Sequence, residues 1–444
     1  MPMSLSRQSS TRSVQSRARN HNSGSKSSNP IKVVARFRPD GGESCVEDIA
    51  SQHVKIHGIP QPFVFDTVLG PDTEQFEVFQ DIKPTVDGVL AGYNGCVLAY
   101  GQTGSGKSHT MMGTAGRERG VIPRIVEHLF AEKSPDTKLS VGYLEIYNEK
   151  VRDLLADHDP IAARAGGKNA INSGDLKLYE QFGTFHVKGL TRHDVFAVQD
   201  VLALMERGSR SRSTAATRMN NTSSRSHSLF SLEVVTRATR SKLVLVDLAG
   251  SEKVAKTGAK GVLLEEAGNI NKSLSSLGMV VNALANNQAA GDDASLSHVP
   301  FRDSKLTRIL QDSLAGNSRT CLIIHCSPAA AHISETVSTL RFGTRAKTVQ
   351  TQMLVNYTPA SASSASAPMD ILRMQQELHA QLLNEKVRLV AQHRRAVARQ
   401  KAQREYIESL KRELDGVYMQ SSSEELYLIR EAPILGSRIA SLTQ

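Results

Sequence analysis

The sequence predicts a three-layer α/β domain, with a central β-sheet covered by helices on both faces. Three observations carry that expectation. Short apolar, β-branched runs alternate with longer helix-forming stretches from residue 31 to residue 347. One run, Val97-Leu98-Ala99-Tyr100, leads straight into a glycine-rich loop, and another, Leu243-Val244-Leu245-Val246, ends on Asp247.

Residues 1–29 are rich in Ser, Arg, Asn and Gly and lack apolar periodicity, so they cannot repay the entropy of ordering and read as a basic, disordered arm. An acid-free, Arg- and Ser-rich start also resembles a mitochondrial transit peptide, but disorder is the simpler account. The folded texture begins with Ile31-Lys32-Val33-Val34-Ala35-Arg36-Phe37, a strand stopped at Pro39. Further strands are read at Ser140–Ile146, Leu229–Val235 and Thr320–His325, with helices at Val121–Phe130, Val198–Arg207, Glu265–Leu284 and Thr336–Lys347. The main domain therefore spans 30–347. A connecting segment follows over 348–358, then an Ala/Ser linker over 359–368 and a helix-forming region over 369–418; 419–444 is an unassigned tail.

One heptad register of the 369–418 helix puts Leu372, Leu382, Leu389, Ala396, Ile407, Leu410, Leu414 and Val417 at core positions. The same register puts Gln375, His379, Lys386, His393, Gln400 and Gln403 there, so a homodimeric coiled coil and a single solvated helix both stay open.

Composition excludes several classes. The chain of 444 residues carries a net charge of +10, but the first thirty residues hold five Lys or Arg and no acid, so the excess lies partly in the arm and does not mark a nucleic-acid binder. Cys45, Cys96, Cys321 and Cys326 lack paired C-x-x-C spacing and read as buried free thiols of a reducing compartment. No apolar run approaches the roughly 20 residues that span a bilayer, so no membrane insertion is expected.

The chemistry is concentrated in two places. Gly101-Gln102-Thr103-Gly104-Ser105-Gly106-Lys107-Ser108 matches G-x-x-x-x-G-K-[ST] directly after a strand, the context the motif requires. Backbone N–H groups of such a loop and the start of the following helix face a phosphate chain; Lys107 would neutralise β- and γ-phosphates and Ser108 would bind Mg²⁺. Asp247 at the end of the second strand would hold the same metal through water, and the N–H of Gly250 would sense the γ-phosphate. Asn271-Lys272-Ser273-Leu274 lacks the carboxylate of a guanine reader, and Leu248, not an acid, follows Asp247. Those two facts argue against Ras-like GTPases and against helicases or AAA ATPases.

Three strings together resemble the kinesin motor domain family: the phosphate loop running on into Ser108-His109-Thr110-Met111, the stretch ending Ser223-Ser224-Arg225-Ser226-His227, and Asp247 to Glu252. The resemblance extends through Tyr143–Glu149, Asn269–Leu274 and His298–Arg308, from about Ile31 to Asn356, and is nearest to the conventional, amino-terminal transport kinesins. It implies a P-loop NTPase motor domain on a mixed sheet, an ATP- and Mg²⁺-dependent, microtubule-stimulated ATPase, and plus-end-directed movement along microtubules in the cytoplasm, the spindle included. By the resemblance, Arg36, Arg38 and Pro39 line the adenine pocket with His109 on the other side of the base. Ser223 and Ser224 belong to switch I, Ser224 also facing the metal. Arg225 and Glu252 form a salt bridge between the two switches. Lys253, Lys256, Arg302, Lys305 and Arg308 face tubulin, and the helix from about Glu265 couples the track to switch II. Residues 348–358 resemble a neck linker, Asn356 its latching asparagine, docking beside a strand formed just before or at Ile31.

The sequence also departs from the family. Asn221 replaces an acid in switch I, Asn286–Leu296 inserts Asp292 and Asp293 in a track-facing loop, the 235–243 turn is short, and Phe182–His186 is atypical. A nucleotide-regulated, non-motile microtubule tether is the competing reading, and nothing in the sequence identifies a cargo.

Overall fold

The computed structural model describes residues 28–156, 175–181, 184–217, 224–252, 262–289, 297–358, 403 and 405–412. Contacts divide the chain into two units, residues 1–361 and 362–444. In the second, the described residues 405–412 are helical, within the stretch expected to form a helix.

The strands are β1 (Ser28–Pro30), β2 (Lys32–Phe37), β3 (Val46–Ile49), β4 (His53–Ile56), β5 (Phe63–Val64), β6 (Thr67–Leu69), β7 (Gly95–Gly101), β8 (Lys138–Tyr147), β9 (Lys150–Asp153), β10 (Leu178–Gln181), β11 (Thr184–Val187), β12 (His193–Val195), β13 (His227–Val235), β14 (Arg240–Asp247), β15 (Arg319–Cys326) and β16 (Gln350–Gln352). The helices are α1 (Gln75–Leu90), α2 (Lys107–Met111), α3 (Val121–Glu132), α4 (Val198–Thr217), α5 (Val262–Ala289), α6 (Lys305–Ile309), α7 (Gln311–Ala315) and α8 (Ile333–Lys347).

Among the described residues nine strands form the central sheet, in the order β12-β8-β13-β14-β7-β15-β2-β6 with β9 beside β8. β14, β7, β15, β2 and β6 run parallel to their neighbours, while β12, β8, β13 and β14 pair antiparallel, so the sheet is mixed as expected.

Alternation along the parallel strands creates the layers, because successive side chains point to opposite faces. Val33, Ala35 and Phe37, with Leu98, Leu322 and Ile324, join a core that includes Leu274, Leu277 and Val281 of α5 and Leu340 and Phe342 of α8. Val34, Val97, Ala99, Cys321 and Ile323 join the opposite core with Val78 and Ile82 of α1, Ile125 and Leu129 of α3 and Val201 of α4. Two cores of this size explain why an apolar sheet needs helices on both sides. All four cysteines are buried and free, as their spacing suggested. Among the described residues no helix is long and apolar enough to cross a membrane.

The folded chain begins earlier than the apolar texture indicates. Ser28, Asn29 and Pro30 pair with Gln352, Thr351 and Gln350 in an antiparallel ribbon, so Ser28 and Asn29, read from composition as the end of the arm, are strand residues. Composition hides that strand because it needs only three ladder positions and buries little apolar surface, whereas the strand just before or at Ile31 implied by the resemblance is this one.

Candidate functional site

The site grows from the carboxyl ends of the parallel strands, where an open α/β sheet leaves a crevice. β7 ends at Gly101, the loop 102–106 turns back, and α2 begins at Lys107 with Gly106 as its N-cap at φ 104°, a left-handed conformation that a side chain would disfavour. Lys107 is buried and its Nζ donates to the carbonyls of Gly101 and Gln102, each at 2.8 Å. Burial holds its ammonium below the ordinary lysine range, although the Asp247 and Glu252 carboxylates pull the other way. The Ser105 hydroxyl donates to the Gln102 carbonyl at 2.8 Å, bracing the loop.

β14 lies beside β7 and delivers Asp247 opposite the loop. Ser108 Oγ donates to Asp247 Oδ2 at 2.6 Å, while Asp247 Oδ1 is buried and takes no hydrogen bond from the described residues. A hydroxyl that lines a cavity and, beside it, a carboxylate with an unsatisfied oxygen are the hard oxygen donors that suit Mg²⁺ shared with phosphate. Thr103, Gly104, Gly106, Lys107, Ser108, His109, Ser224 and Leu248 line that cavity of about 300 Å³.

The chain after Asp247 stays stitched to the loop. Leu248 N–H donates to Ala99 and Ser251 N–H to Gly101, while Gly250 N–H donates to the Ser224 carbonyl at 2.9 Å. The Glu252 carboxylate accepts from Thr103 N–H at 2.8 Å and from the Thr103 hydroxyl. A Cβ at Gly250 would run into both Thr103 Oγ1 and the Glu252 carboxylate, so a side chain here would break that contact. The structure thus brings Ser224 and Gly250 together and seats Glu252 on the phosphate loop.

A second cavity, of about 220 Å³, shares Gly106 and His109 with the first and is lined by Arg36, Arg38, Pro39, Ser105 and Glu118 among others. The two Arg residues are engaged with the protein. Arg38 Nη1 donates to the Gly104 carbonyl at 2.8 Å and its Nη2 lies 3.3 Å from Asp40. Arg36 is buried beneath, on Gln75, Thr110 and the Thr73 carbonyl. The His109 imidazole lies 3.4 Å from the Glu118 carboxylate.

His227, Ser273 and Glu145 lie within the strings that carry the resemblance but had no role assigned to them, and Arg212 lies outside those strings. His227 is fully enclosed; its Nδ1 accepts from Ala249 N–H at 3.0 Å, so its Nε2 donates to Ser273 Oγ of α5 at 2.7 Å. Burial first, with Arg212 and Lys107 nearby, pushes its pKa down to about 3. One neutral ring therefore joins the start of β13, the chain after Asp247 and the long helix. Arg212 of α4 donates to the Ser226 carbonyl at 2.9 Å and lies 3.4 Å from buried Glu145.

Of the residues read as track-facing, Arg302, Lys305 and Arg308 cluster around α6. Arg302 pairs with Glu180 at 2.7 Å, Lys305 with Asp175 at 2.5 Å, and Arg308 donates to the Arg302 carbonyl at 2.6 Å. Ser223, Lys253 and Lys256 lie outside the described residues, as do Asn221, Asp292 and Asp293.

Beyond α8 the chain runs along the core. Asn356 N–H donates to the Gly92 carbonyl, and its own carbonyl accepts from Arg240 N–H. Its side-chain Nδ2 donates to the Gly92 carbonyl at 3.1 Å and to Asn94 Oδ1 at 3.2 Å, and its Oδ1 accepts from Asn317 at 2.9 Å. Leu354 N–H donates to Asn317 Oδ1 and Thr358 N–H to the Ala238 carbonyl.

The kinesin motor domain profile matches residues 12–349. The chain belongs to the kinesin motor domain family. It is 47% identical over 357 residues to a kinesin heavy chain of Neurospora crassa, covering 75% of this chain and 36% of that one. It is 44% identical over 350 residues to kinesin-like protein 3 of Schizosaccharomyces pombe, covering 73% and 59%. The chain thus spans about a third of the length of the fungal heavy chain it matches. Among solved structures, a fast kinesin superposes with a TM-score of 0.65 at 46% identity, over 76% of this chain and 98% of that one. A KIF14 dimer bound with AMP-PNP to a microtubule superposes at 0.66 with 33% identity, over 78% and 100%. The kinesin fold, with its mixed sheet and flanking helices, is therefore the fold of this chain.

Proposed function

We propose that this kinesin-family chain is a microtubule-stimulated ATPase that converts ATP hydrolysis into movement along microtubules, plus-end directed, in the cytoplasm. The observation that carries the reading is the docked segment 350–358, fastened to the same core whose strands end in the nucleotide crevice. A tether needs nucleotide binding; it does not need the segment after α8 latched at Asn356. The relative that carries AMP-PNP on a microtubule supports nucleotide and track together.

In this reading the adenine lies in the cavity of Arg36, Arg38, Pro39 and His109, and the phosphates lie over Gly101 to Ser108. Lys107 exchanges its two loop carbonyls for phosphate oxygens, a charge-assisted contact for a buried ammonium. Ser108 and Asp247 would hold Mg²⁺, which when bound would draw off phosphate charge, and Ser223 and Ser224 close over the γ-phosphate. Gly250 N–H exchanges the Ser224 carbonyl for the γ-phosphate, and Glu252 leaves Thr103 to pair with Arg225, closing the two switches. Through His227 and Ser273 the closure reaches α5, and Lys253, Lys256, Arg302, Lys305 and Arg308 meet acidic tubulin. Residues 348–358 act as the neck linker, a two-state element biased by the γ-phosphate. Pairing of two chains through 369–418 would place two such heads together.

The test is ATP turnover with and without polymerised tubulin, for the unaltered chain and for Lys107→Ala. Strong stimulation that Lys107→Ala abolishes supports the assignment. Robust turnover by Lys107→Ala refutes the site, and absence of stimulation refutes the track reading.

A further inference from the structure

Three parallel strands end in a single row at the floor of the crevice. β15 pairs His325 with Arg36 of β2 on one side and with Gly101 of β7 on the other. Residues paired across a sheet share a face. The Arg36 and His325 side chains therefore rise together toward α1 and α2, within the layer that holds Val34, Ala99 and Ile323.

His325 is 0% exposed, and both ring nitrogens are engaged. Nδ1 lies 3.1 Å from the Ile323 carbonyl and Nε2 lies 2.7 Å from the Thr110 hydroxyl. A carbonyl only accepts, so the proton sits on Nδ1 and Nε2 accepts from Thr110. That commits the single proton of Thr110, whose remaining lone pairs accept from Arg36 Nη1 at 2.8 Å. The same Arg36 nitrogen donates to Gln75 Oε1 at 2.9 Å, and Gln75 Nε2 donates to the His109 carbonyl at 2.8 Å. Each proton in the chain has one direction, fixed by a carbonyl at one end and a guanidinium in the middle. The neutral ring this requires agrees with burial, reinforced by Arg36 and Lys107, which pushes the His325 pKa down to about 3.

We propose that His325 is a positioning residue for the nucleotide base. By accepting from Thr110 it fixes the hydroxyl on which Arg36 rests, and Arg36 with Gln75 then fixes the end of α2 and the backbone of His109 at the base cavity. This rests on the nucleotide reading above and deepens it. Phenylalanine at 325 fills similar space but removes the acceptor of the Thr110 proton, whereas glutamine can place its amide oxygen where Nε2 stood.

The experiment measures affinity for a fluorescent ADP analogue, together with ATP KM and kcat in the presence of microtubules, on the full chain and on His325→Phe, His325→Gln and Thr110→Val, each checked first by thermal unfolding. His325→Phe weakens nucleotide binding and raises KM about tenfold, the loss of one buried hydrogen bond, with kcat at saturating ATP unchanged. His325→Gln recovers most of that loss. Thr110→Val matches His325→Phe, and the double variant is no worse than either. Wild-type affinity in both His325→Phe and Thr110→Val, or His325→Gln as impaired as His325→Phe, overturns the proposal while leaving the site intact. Should His325→Phe not fold, His325→Gln and Thr110→Val decide: near-normal binding in the first with weakened binding in the second is expected, and normal binding in Thr110→Val overturns it. An unaltered chain that binds no nucleotide overturns the site and the proposal together.

Discussion

Replacing Asn356 by alanine isolates the latch of the docked segment. The change deletes the three side-chain hydrogen bonds to Gly92, Asn94 and Asn317 and leaves the backbone bonds of residue 356 in place. Each net hydrogen bond is worth about 1 kcal/mol and the site is part-exposed, so the docked state loses about 2–3 kcal/mol. That is roughly a 30- to 140-fold shift toward undocking, since every 1.4 kcal/mol is tenfold. Hydrogen exchange reads it directly at the amides of Leu354, Asn356 and Thr358, which donate to Asn317 Oδ1, Gly92 O and Ala238 O. Their protection should fall by that factor while amides of β7 and β15 keep theirs. Gliding velocity should fall more than microtubule-stimulated turnover. Unchanged protection at these three amides refutes the latch; unchanged gliding with lost protection refutes its role in movement.

Gly250→Ala should retain the fold and lose turnover, because its Cβ runs into Thr103 and Glu252; near-normal stimulated turnover counts against the role given to this backbone. Both buried imidazoles, His227 and His325, have pKa values near 3 against 6.5 unfolded, so the unfolded state takes up protons first as pH falls. Their contribution is complete above about pH 6.5 and is lost below it at about 1.4 kcal/mol per pH unit for each ring. Urea unfolding at pH 7 and pH 5.5 measures this, and equal midpoints contradict it. Glu180→Gln releases Arg302 from an exposed pair worth at most about 1 kcal/mol, so co-sedimentation with microtubules should tighten by up to about fivefold at low salt and converge at high salt. Weaker binding would mean that Glu180 itself faces the track.

How much of this was legible in the sequence differs by element. The strands of the parallel half were readable because both faces are buried and the runs are continuously apolar, as in Ile31–Phe37 and Thr320–His325. The phosphate loop was readable because its geometry demands glycines at fixed spacing. Helix α1 was hidden by Pro84 inside it, although Glu74 and Glu77 form a capping box at its start. β1 could not be read from composition, because its stability comes from pairing with β16 more than three hundred residues away; a strand just before or at Ile31, beside 348–358, was expected from the family resemblance alone, and that pairing is present. At the site, Lys107, Ser108 and Asp247 follow from motif and strand, whereas His325, Thr110 and Gln75 come from three separate elements and meet only in the fold. The charge pairs that engage Arg302 and Lys305 are equally non-local, so a cluster of cations in sequence overstated the free positive charge on this face.

The central claim, that hydrolysis is converted into directed movement, is tested most directly by gliding of polarity-marked microtubules over surface-bound protein at low salt with ATP. Steady gliding with the minus end leading, which is plus-end-directed stepping, and arrest when ATP is withheld are the predicted result. Microtubules that bind and stimulate turnover but stay still contradict it and leave a nucleotide-regulated tether.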